Sequence, residues 1–343
     1  HQAVTNSNYD IHDFAANSTI TSYKDEGVAN ISQKQDIVYS NRDRYGNAWN
    51  QTIKATDSTG NLIDYKVIAN SYDNILAQMK GNATTTDVNR YSSDTLLDAD
   101  HLIEEVITNT TLFDQLGNAV DQNVTTKVGG KETKYDLIHN EKIDARGDAA
   151  IETITTSQTD LNGENLQVTS YQVMTRRDFD SNHNVTNQLI LTYSVNKDFT
   201  KGELKDAQEI RSTGFYSSGV AVDQVIATYS KVDGSDAADQ TSFVEAKTIH
   251  NTEVTAQGYV GVSEITTYSG ATIGASGAIS CSGETGRQII TTTRFDNRGN
   301  ALSQDIEKYY YDPNSTASDK ETFYEHQAVT NSNYDIHDFA ANS

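Results

Sequence analysis

Side chains able to hold a cation, move a proton or attack a carbonyl are present, but few stand at spacings that commit them to such work. Asp180-Ser-Asn182-His-Asn184 places oxygen donors at alternate positions, as the start of an EF-hand loop does, yet Val185 stands where glycine is needed and no glutamate closes the loop. The segment reads instead as a hairpin turn. Asp98, Asp100, Glu104 and Glu105 form the densest acidic cluster, suited only to a weakly held surface cation. His12, His101, His139, His183 and His250 fall at scattered places, and Cys281 sits in a Gly/Ser-rich stretch without a histidine or basic neighbour, so an incidental thiol is expected. No HExxH, GxSxG or GxxxxGK[ST] pattern occurs. The expectation is therefore no enzyme, no catalytic residue, no cofactor and no metal. Asn-x-Ser/Thr sequons at Asn17, Asn30, Asn50, Asn82, Asn109, Asn123, Asn184 and Asn314 are close to the number that composition alone gives.

Composition narrows the partners. Among 343 residues, 26 Lys and Arg face 48 Asp and Glu, a formal charge of −22. Nucleic acid and anionic membranes need a basic surface, so neither is expected as a partner. No apolar run approaches the roughly 18 residues of a membrane helix, so membrane insertion is not expected either. The single cysteine excludes an intrachain disulfide. One proline in the whole chain, against an average usage of about 5%, suits a continuous sheet whose ladder needs every N–H. The chain starts with His1 rather than Met and shows no basic-then-apolar leader, so it is expected to be cut from something longer.

The elements that carry these residues are repetitive at two levels. His1–Ser18 reads HQAVTNSNYDIHDFAANS and His326–Ser343 reads the same, an offset of 325 residues. An artefactual duplication is the bland reading; the preferred one is a window from a tandem array, residues 1–325 forming one long repeat and 326–343 the start of the next. Within it, FDQLGNAVDQNV (from Phe113), FDSNHNVTNQLI (from Phe179) and FDNRGNALSQDI (from Phe295) align. Numbering from the turn residue as zero, that position is Asp13, Gly46, Gly81, Gly117, Gly147, His183, Gly219, Gly258 and Gly299, giving nine subrepeats averaging about 36 residues. Position +7 is always Ile or Val: Ile20, Ile53, Val88, Val124, Ile154, Ile190, Ile226, Ile265 and Ile306. Position +10 is tyrosine six times, at Tyr23, Tyr91, Tyr193, Tyr229, Tyr268 and Tyr309.

Asp at −3 with Gly at zero fits a three-residue hairpin loop closed by a left-handed residue. That turn sets −3 opposite +1, so +7 should face −9, which holds Val4, Ile37, Tyr72, Thr108, Ile138, Met174, Ile210, Ile249 and Ile290. Aromatic residues at −4 should likewise face small residues at +2. Alternation then gives a dry face through +3, +5 and +7 and a wet face through +4, +6 and +8. The dry face carries one carboxamide per hairpin, at +5 or its partner −7: Asn6, Gln51, Asn74, Gln122, Asn140, Gln188, Gln224, Asn251 and Gln304. These are expected to stack as an amide ladder beside the Ile row. The connections between hairpins vary in length and are expected to be surface loops, with no domain boundary inside the 325-residue repeat.

Aromatic-Asp-x-x-Gly-Asn followed by a β run, clearest in RFDNRGNALSQDIEKYYYD from Arg294, resembles the YD repeats of the RHS family, which includes bacterial toxin shells and teneurins. The resemblance implies a long antiparallel sheet of consecutive hairpins wound into a spiral. The subrepeat is longer than the usual YD unit, Arg is not the usual residue after Gly, and no self-cleaving aspartyl protease segment follows, so a closed cocoon is not expected.

The fold class expected is all-β: consecutive hairpins in one antiparallel sheet curled into a spiral, tube or solenoid-like fibre. Eighteen strands per 325-residue repeat at about 4.8 Å give roughly 86 Å of sheet. The function expected is a structural segment of an extracellular or cell-surface filament or tube. The partners expected are neighbouring copies of the same repeat, with further chains of a filament as an open alternative. The alternatives are an adhesive or carbohydrate-binding stalk and a shell around a toxin or enzyme cargo.

Overall fold

The structure, a computed structural model, describes residues 2–23, 30–196, 200–234, 237–314 and 320–343. His1 of the duplicated stretch, part of the acidic connection after Lys231, and Ser315 and Thr316 of the Asn314 sequon lie outside the described residues.

Runs rich in Thr, Val, Ile and Tyr, punctuated by Asp-x-x-Gly, favour extended backbone and tight reversal. They form a 19-stranded antiparallel sheet of consecutive hairpins. The chain divides into two compact units, His1–Asn140 with Thr155–Gln167, and Glu141–Ile154 with Val168–Ser343. The first holds β1 (Gln2–Tyr9), β2 (Ala15–Tyr23), β3 (Ile31–Arg42), β4 (Ala48–Asp57), β5 (Leu62–Ser71), helix α1 (Ile75–Lys80), β6 (Thr85–Tyr91), β7 (Leu102–Phe113) and β8 (Ala119–Val128). β9 (Lys131–Ile143) and β10 (Ala149–Gln158) follow. The second unit continues with β11 (Gln167–Phe179), β12 (Val185–Val195), β13 (Lys201–Phe215), β14 (Ala221–Tyr229), β15 (Phe243–Val254), β16 (Val260–Ile273), β17 (Ile279–Phe295), β18 (Ala301–Tyr311) and β19 (Glu321–Thr330), then the ribbon β20 (Ser332–Tyr334) and β21 (Ala340–Asn342).

Within hairpins the +7 residue faces −9 in Val4↔Ile20, Ile37↔Ile53, Thr108↔Val124, Met174↔Ile190, Ile210↔Ile226, Ile249↔Ile265 and Ile290↔Ile306. The aromatic-on-small pairs are Tyr9↔Ala15, Phe113↔Ala119, Phe179↔Val185, Phe215↔Ala221 and Phe295↔Ala301. One hairpin departs. Gly81 caps α1 in a left-handed conformation (φ 84), and Asn74 is the helix N-cap, accepting from the N–H groups of Leu76 and Ala77. The helix is inserted into the hairpin loop, so Val88 faces Ile68 rather than Tyr72.

A second departure concerns the faces. The +7 column, from Ile20 to Ile306, is half-buried throughout and nowhere fully buried. The best-buried cluster lies on the opposite face of the second unit, at Leu189 (+6), Leu191 (+8), Ala207, Ala227 (+8), Tyr229 (+10) and Ala246. Long connections supply its cover through Val232, Ala238, Phe243, Ile273, Ile279 and Cys281. Half-buried apolar groups gain only part of the roughly 25 cal/mol per Å² of complete burial, so this covered face carries more stabilisation per side chain.

The connections are also more ordered than loops of variable composition suggest. Asp57–Asn61 and Asp160–Glu164 form the same three-residue turn as the hairpins, with Gly60 N–H on Asp57 O at 3.1 Å and Gly163 N–H on Asp160 O at 2.9 Å. The Gly/Ser-rich stretch after Ser269 extends β16 and β17, pairing Ala271 with Cys281 and Ile273 with Ile279. Cys281 thus sits in a strand, and burial pushes its thiol pKa up, away from thiolate chemistry.

Candidate functional site

The recurrent arrangement is the seam where one hairpin meets the next. It starts at the turn. Asp43 Oδ1 accepts from the N–H groups of Tyr45 (2.8 Å) and Asn47 (3.0 Å), and Asn47 Nδ2 donates back to Oδ2 at 2.9 Å. Asp114 with Asn118, Asp180 with Asn184 and Asp296 with Asn300 repeat this geometry. The zero residue is left-handed at every turn: Asp13 (φ 63), Gly46 (91), Gly81 (84), Gly117 (80), Gly147 (100), His183 (66), Gly219 (84), Gly258 (92) and Gly299 (94). Asp180–Asn184 is such a turn, its carboxylate taken up by backbone donors.

Four of the turns then reach the next. Asn47 Nδ2 donates to Gln78 O (2.6 Å), Asn82 Nδ2 to Gly117 O (2.8 Å), Arg146 Nη2 to Asp180 O (2.8 Å) and Arg298 Nη2 to Asp335 O (2.6 Å). One strand deeper, the +2 carbonyl of one hairpin accepts from a side chain of its successor. Ala15 O takes Arg42, Ala48 O takes Asn70, Ala119 O takes Asn140, Ala149 O takes Arg177, Ala221 O takes Asn251 and Ala301 O takes Asn331, all at 2.5–3.3 Å. A side-chain donor at this place satisfies a carbonyl that the ladder leaves over.

Of the nine carboxamides of the expected ladder, Asn140 and Asn251 have this role. At +5, Gln122, Gln224 and Gln304 donate to the cross-strand hydroxyls of Thr110 (3.3 Å), Ser212 (3.1 Å) and Thr292 (3.1 Å). Where the amide is at −7, the polarity reverses: Ser263 Oγ donates to Asn251 Oδ1 at 2.8 Å. Gln51 lies opposite Tyr39, and Gln188 faces Ile210 across the next strand. Asn6 is opposite Ser18 and exposed. Asn70 takes the place that the sequence register gives to Asn74, accepting from Thr86 Oγ1 at 2.9 Å. Asn8, Asn41, Lys142, Glu253 and Asn333, all five before a turn residue, are left-handed at φ 52–57; Asn tolerates that region, whereas Lys142 and Glu253 give no such sign.

The strand register across the seam recurs, except before the helix-bearing hairpin, where Gln51 faces Ile68. Position +5 faces −9 of the next hairpin in Ser18↔Ile37, Gln122↔Ile138, Gln188↔Ile210, Gln224↔Ile249, Ser263↔Ile290 and Gln304↔Val329. The last of these crosses from one 325-residue repeat to the next. Subrepeat length varies, yet outside the hairpin that holds α1 that pairing does not, because the extra residues stay in the connections.

The acidic groups are committed elsewhere. Asp98 pairs with His101 (2.6 Å), Glu104 with Arg90 (3.2 Å) and Glu105 with Lys127 (3.0 Å). His139 and His250 each set Nδ1 at 2.6 Å from a directly cross-strand aspartate, Asp121 and Asp223. These are exposed strand-to-strand side-chain contacts.

The turn carboxylates of Asp10, Asp43, Asp57 and Asp180 are held in their ionised form. The Phe14 N–H lowers the pKa of Asp10, and the Asn184 amide lowers that of Asp180. For Asp43 burial works in the opposite direction, but the Gln78 and Asn47 donors outweigh it. Asp57, bonded first by the Thr59 hydroxyl, drops from 3.8 to about 2. A carboxyl with a depressed folded-state pKa binds fewer protons folded than unfolded, so its contribution is complete above the unfolded value and is lost as pH falls through the folded one. Thermal stability should therefore begin to fall as pH approaches 3.8 and keep falling down to about 2. A melting temperature unchanged over that interval would contradict this. Asn251→Ala tests the seam itself: it leaves the Ala221 carbonyl unpaired at a buried site, and a loss of about 1–3 kcal/mol in urea unfolding is expected.

No family model matches the chain, and no curated protein matches it. Seven chains among solved structures match. One belongs to the Photorhabdus luminescens Tc holotoxin pore; it is 9% identical with a TM-score of 0.13, and the match covers 97% of this chain and 22% of that one. No described helix is long and apolar enough to cross a membrane.

Proposed function

We propose that this chain is a structural building segment of an extracellular filament or hollow tube, made by stacking YD-type hairpins through tandem 325-residue repeats. The observation that carries the reading is the seam between repeats. Gln304↔Val329 and Asn331→Ala301 O reproduce, across the repeat boundary, the register and side-chain bond of Gln224↔Ile249 and Asn251→Ala221 O within it. An interface that is the same inside and between repeats adds copies without a new contact, so stability follows nearest-neighbour terms and length is free to grow. The acidic surface keeps such an array soluble and opposes lateral pairing of strands.

The test is electron microscopy of chains carrying two, three and four 325-residue repeats. Particles of constant width whose length rises by a fixed increment per repeat support the reading. Closed particles of one size, whatever the number of repeats, overturn it in favour of a shell.

A further inference from the structure

One contact across the seam joins two groups that can react with each other. Lys80, the last residue of α1, sets Nζ in hydrogen-bond contact with Oδ1 of Asn118, in the turn of the following hairpin. Asn118 is only 2% exposed, and its amide is held at both ends. On the side away from the lysine, Nδ2 donates to Asp114 Oδ2 at 2.8 Å, while Asp114 Oδ1 accepts from the N–H groups of Asn118 and Leu116, both at 2.8 Å. The two backbones are fixed as well. Asn82 Nδ2 donates to Gly117 O at 2.8 Å, and Gly117 lies so close to the Leu76 carbonyl group and the Ala77 nitrogen that a Cβ would overlap them. Burial works to raise the Asp114 pKa, but the Asn118 donors outweigh it, so the carboxylate stands ionised beside the amide nitrogen. No other turn has a lysine just before its left-handed residue. Arg146 and Arg298 hold that place in two of them, and a guanidinium keeps its proton and is no nucleophile.

We propose that Lys80 and Asn118 form an intramolecular isopeptide bond, welding two successive hairpins together. An amine hydrogen-bonded to a carboxamide oxygen is one atom away from the carbon it attacks, and holding reactants in such a place gives an effective molarity of roughly 10⁵ M or more. The Nζ lone pair forms the bond to Cγ, and the Cγ–Nδ2 bond breaks with its electron pair on nitrogen. The ammonium gives up two protons in all. Asp114 relays one to Nδ2, which departs as ammonia, and the other passes to solvent. Nothing is oxidised or reduced, and no co-reactant is needed. The product ties together positions 38 apart in sequence. Both lie within one 325-residue repeat, so the weld stands or falls independently of how repeats stack.

The test is the intact mass of the full chain, folded and then denatured, beside that of Lys80→Arg, which keeps a cationic donor for Oδ1 but has no amine to acylate. The unaltered chain should weigh about 17 Da less than its sequence, the mass of one ammonia. Its digest should contain a branched peptide joining Lys80 to Asn118. Lys80→Arg should show its full sequence mass with the same circular dichroism. Asp114→Asn removes the relay, and mass loss after refolding should slow by about a hundredfold. An unaltered chain at full sequence mass overturns the proposal. So does a deficit that persists in Lys80→Arg, because the ammonia then comes from another site. An Asp114→Asn chain that closes as fast as the unaltered one overturns the relay.

Discussion

Replacing Leu189 by alanine will destabilise the second compact unit by about 2–5 kcal/mol, the range for truncating a fully buried leucine whose surroundings only partly collapse. Leu189 is completely buried, packed in one cluster with Leu191, Ala207, Ala227, Tyr229 and Ala246. Its neighbour Ile190 is the sharper comparison. It belongs to the unbroken Ile/Val column, lies on the other face and pairs with Met174, yet it is only half-buried. Ile190→Ala should cost roughly half as much, in proportion to the apolar area it removes from water. Urea unfolding followed by circular dichroism decides between the faces. If Ile190→Ala proves as costly as Leu189→Ala, the +7 row is the principal core after all.

Gly117→Ala should cost roughly 3 kcal/mol, from about 1 kcal/mol for a left-handed non-glycine residue and the rest from overpacking. The turn holds φ at 80, and a Cβ there would come within 2.7 Å of the Leu76 carbonyl group and 2.8 Å of the Ala77 nitrogen. Those are backbone atoms at helix α1, which cannot swing aside as a side-chain tip can. Gly60→Ala separates the two contributions. Its φ is 89, but nothing lies within 4 Å of the added carbon, so only the conformational part, about 1 kcal/mol, should appear. Equal losses for the two variants would mean that α1 does not press on the turn.

Those two sites show where sequence reading succeeds and where it stops. The turn column follows from local chemistry: aspartate three before a glycine favours one reversal, and that reversal fixes which residues face each other. Val4↔Ile20 and Phe295↔Ala301 follow from counting alone. The hairpin ending at Gly81 breaks the count because NILAQMKG carries a helix signature, an Asn N-cap, good helix formers and a Gly C-cap, inside a β-register. That signal is legible, and it prevails over the repeat there. The buried face was not legible. Leu189 and Tyr229 lie on a face that is polar in most subrepeats, and their cover comes from Val232, Ile273 and Ile279 in connections distant in sequence. Periodicity within a strand contains no information about which loop folds over it.

The seam was half legible. Asn at −7 stands out as a column, but its partner belongs to the preceding hairpin, and only the recurrent +5 to −9 register brings Asn251 to Ala221 O and Asn331 to Ala301 O. Amides in a row suggest a mutual ladder; Gln122, Gln224 and Gln304 bond a hydroxyl and Asn140 and Asn251 a carbonyl.

Residue-resolved amide hydrogen exchange of the intact chain tests the central claim most directly. Asn6 and Asn331 sit in identical sequence, so their intrinsic exchange rates are the same and any difference is structural. The Asn331 N–H, bonded to Leu302 O across the repeat boundary, should be protected to the same degree as amides within a repeat, while Asn6 on the exposed edge of β1 should exchange rapidly. Equal, fast exchange at both positions would mean that successive repeats do not form a continuous sheet, and the account of this chain as a stacking segment would fail.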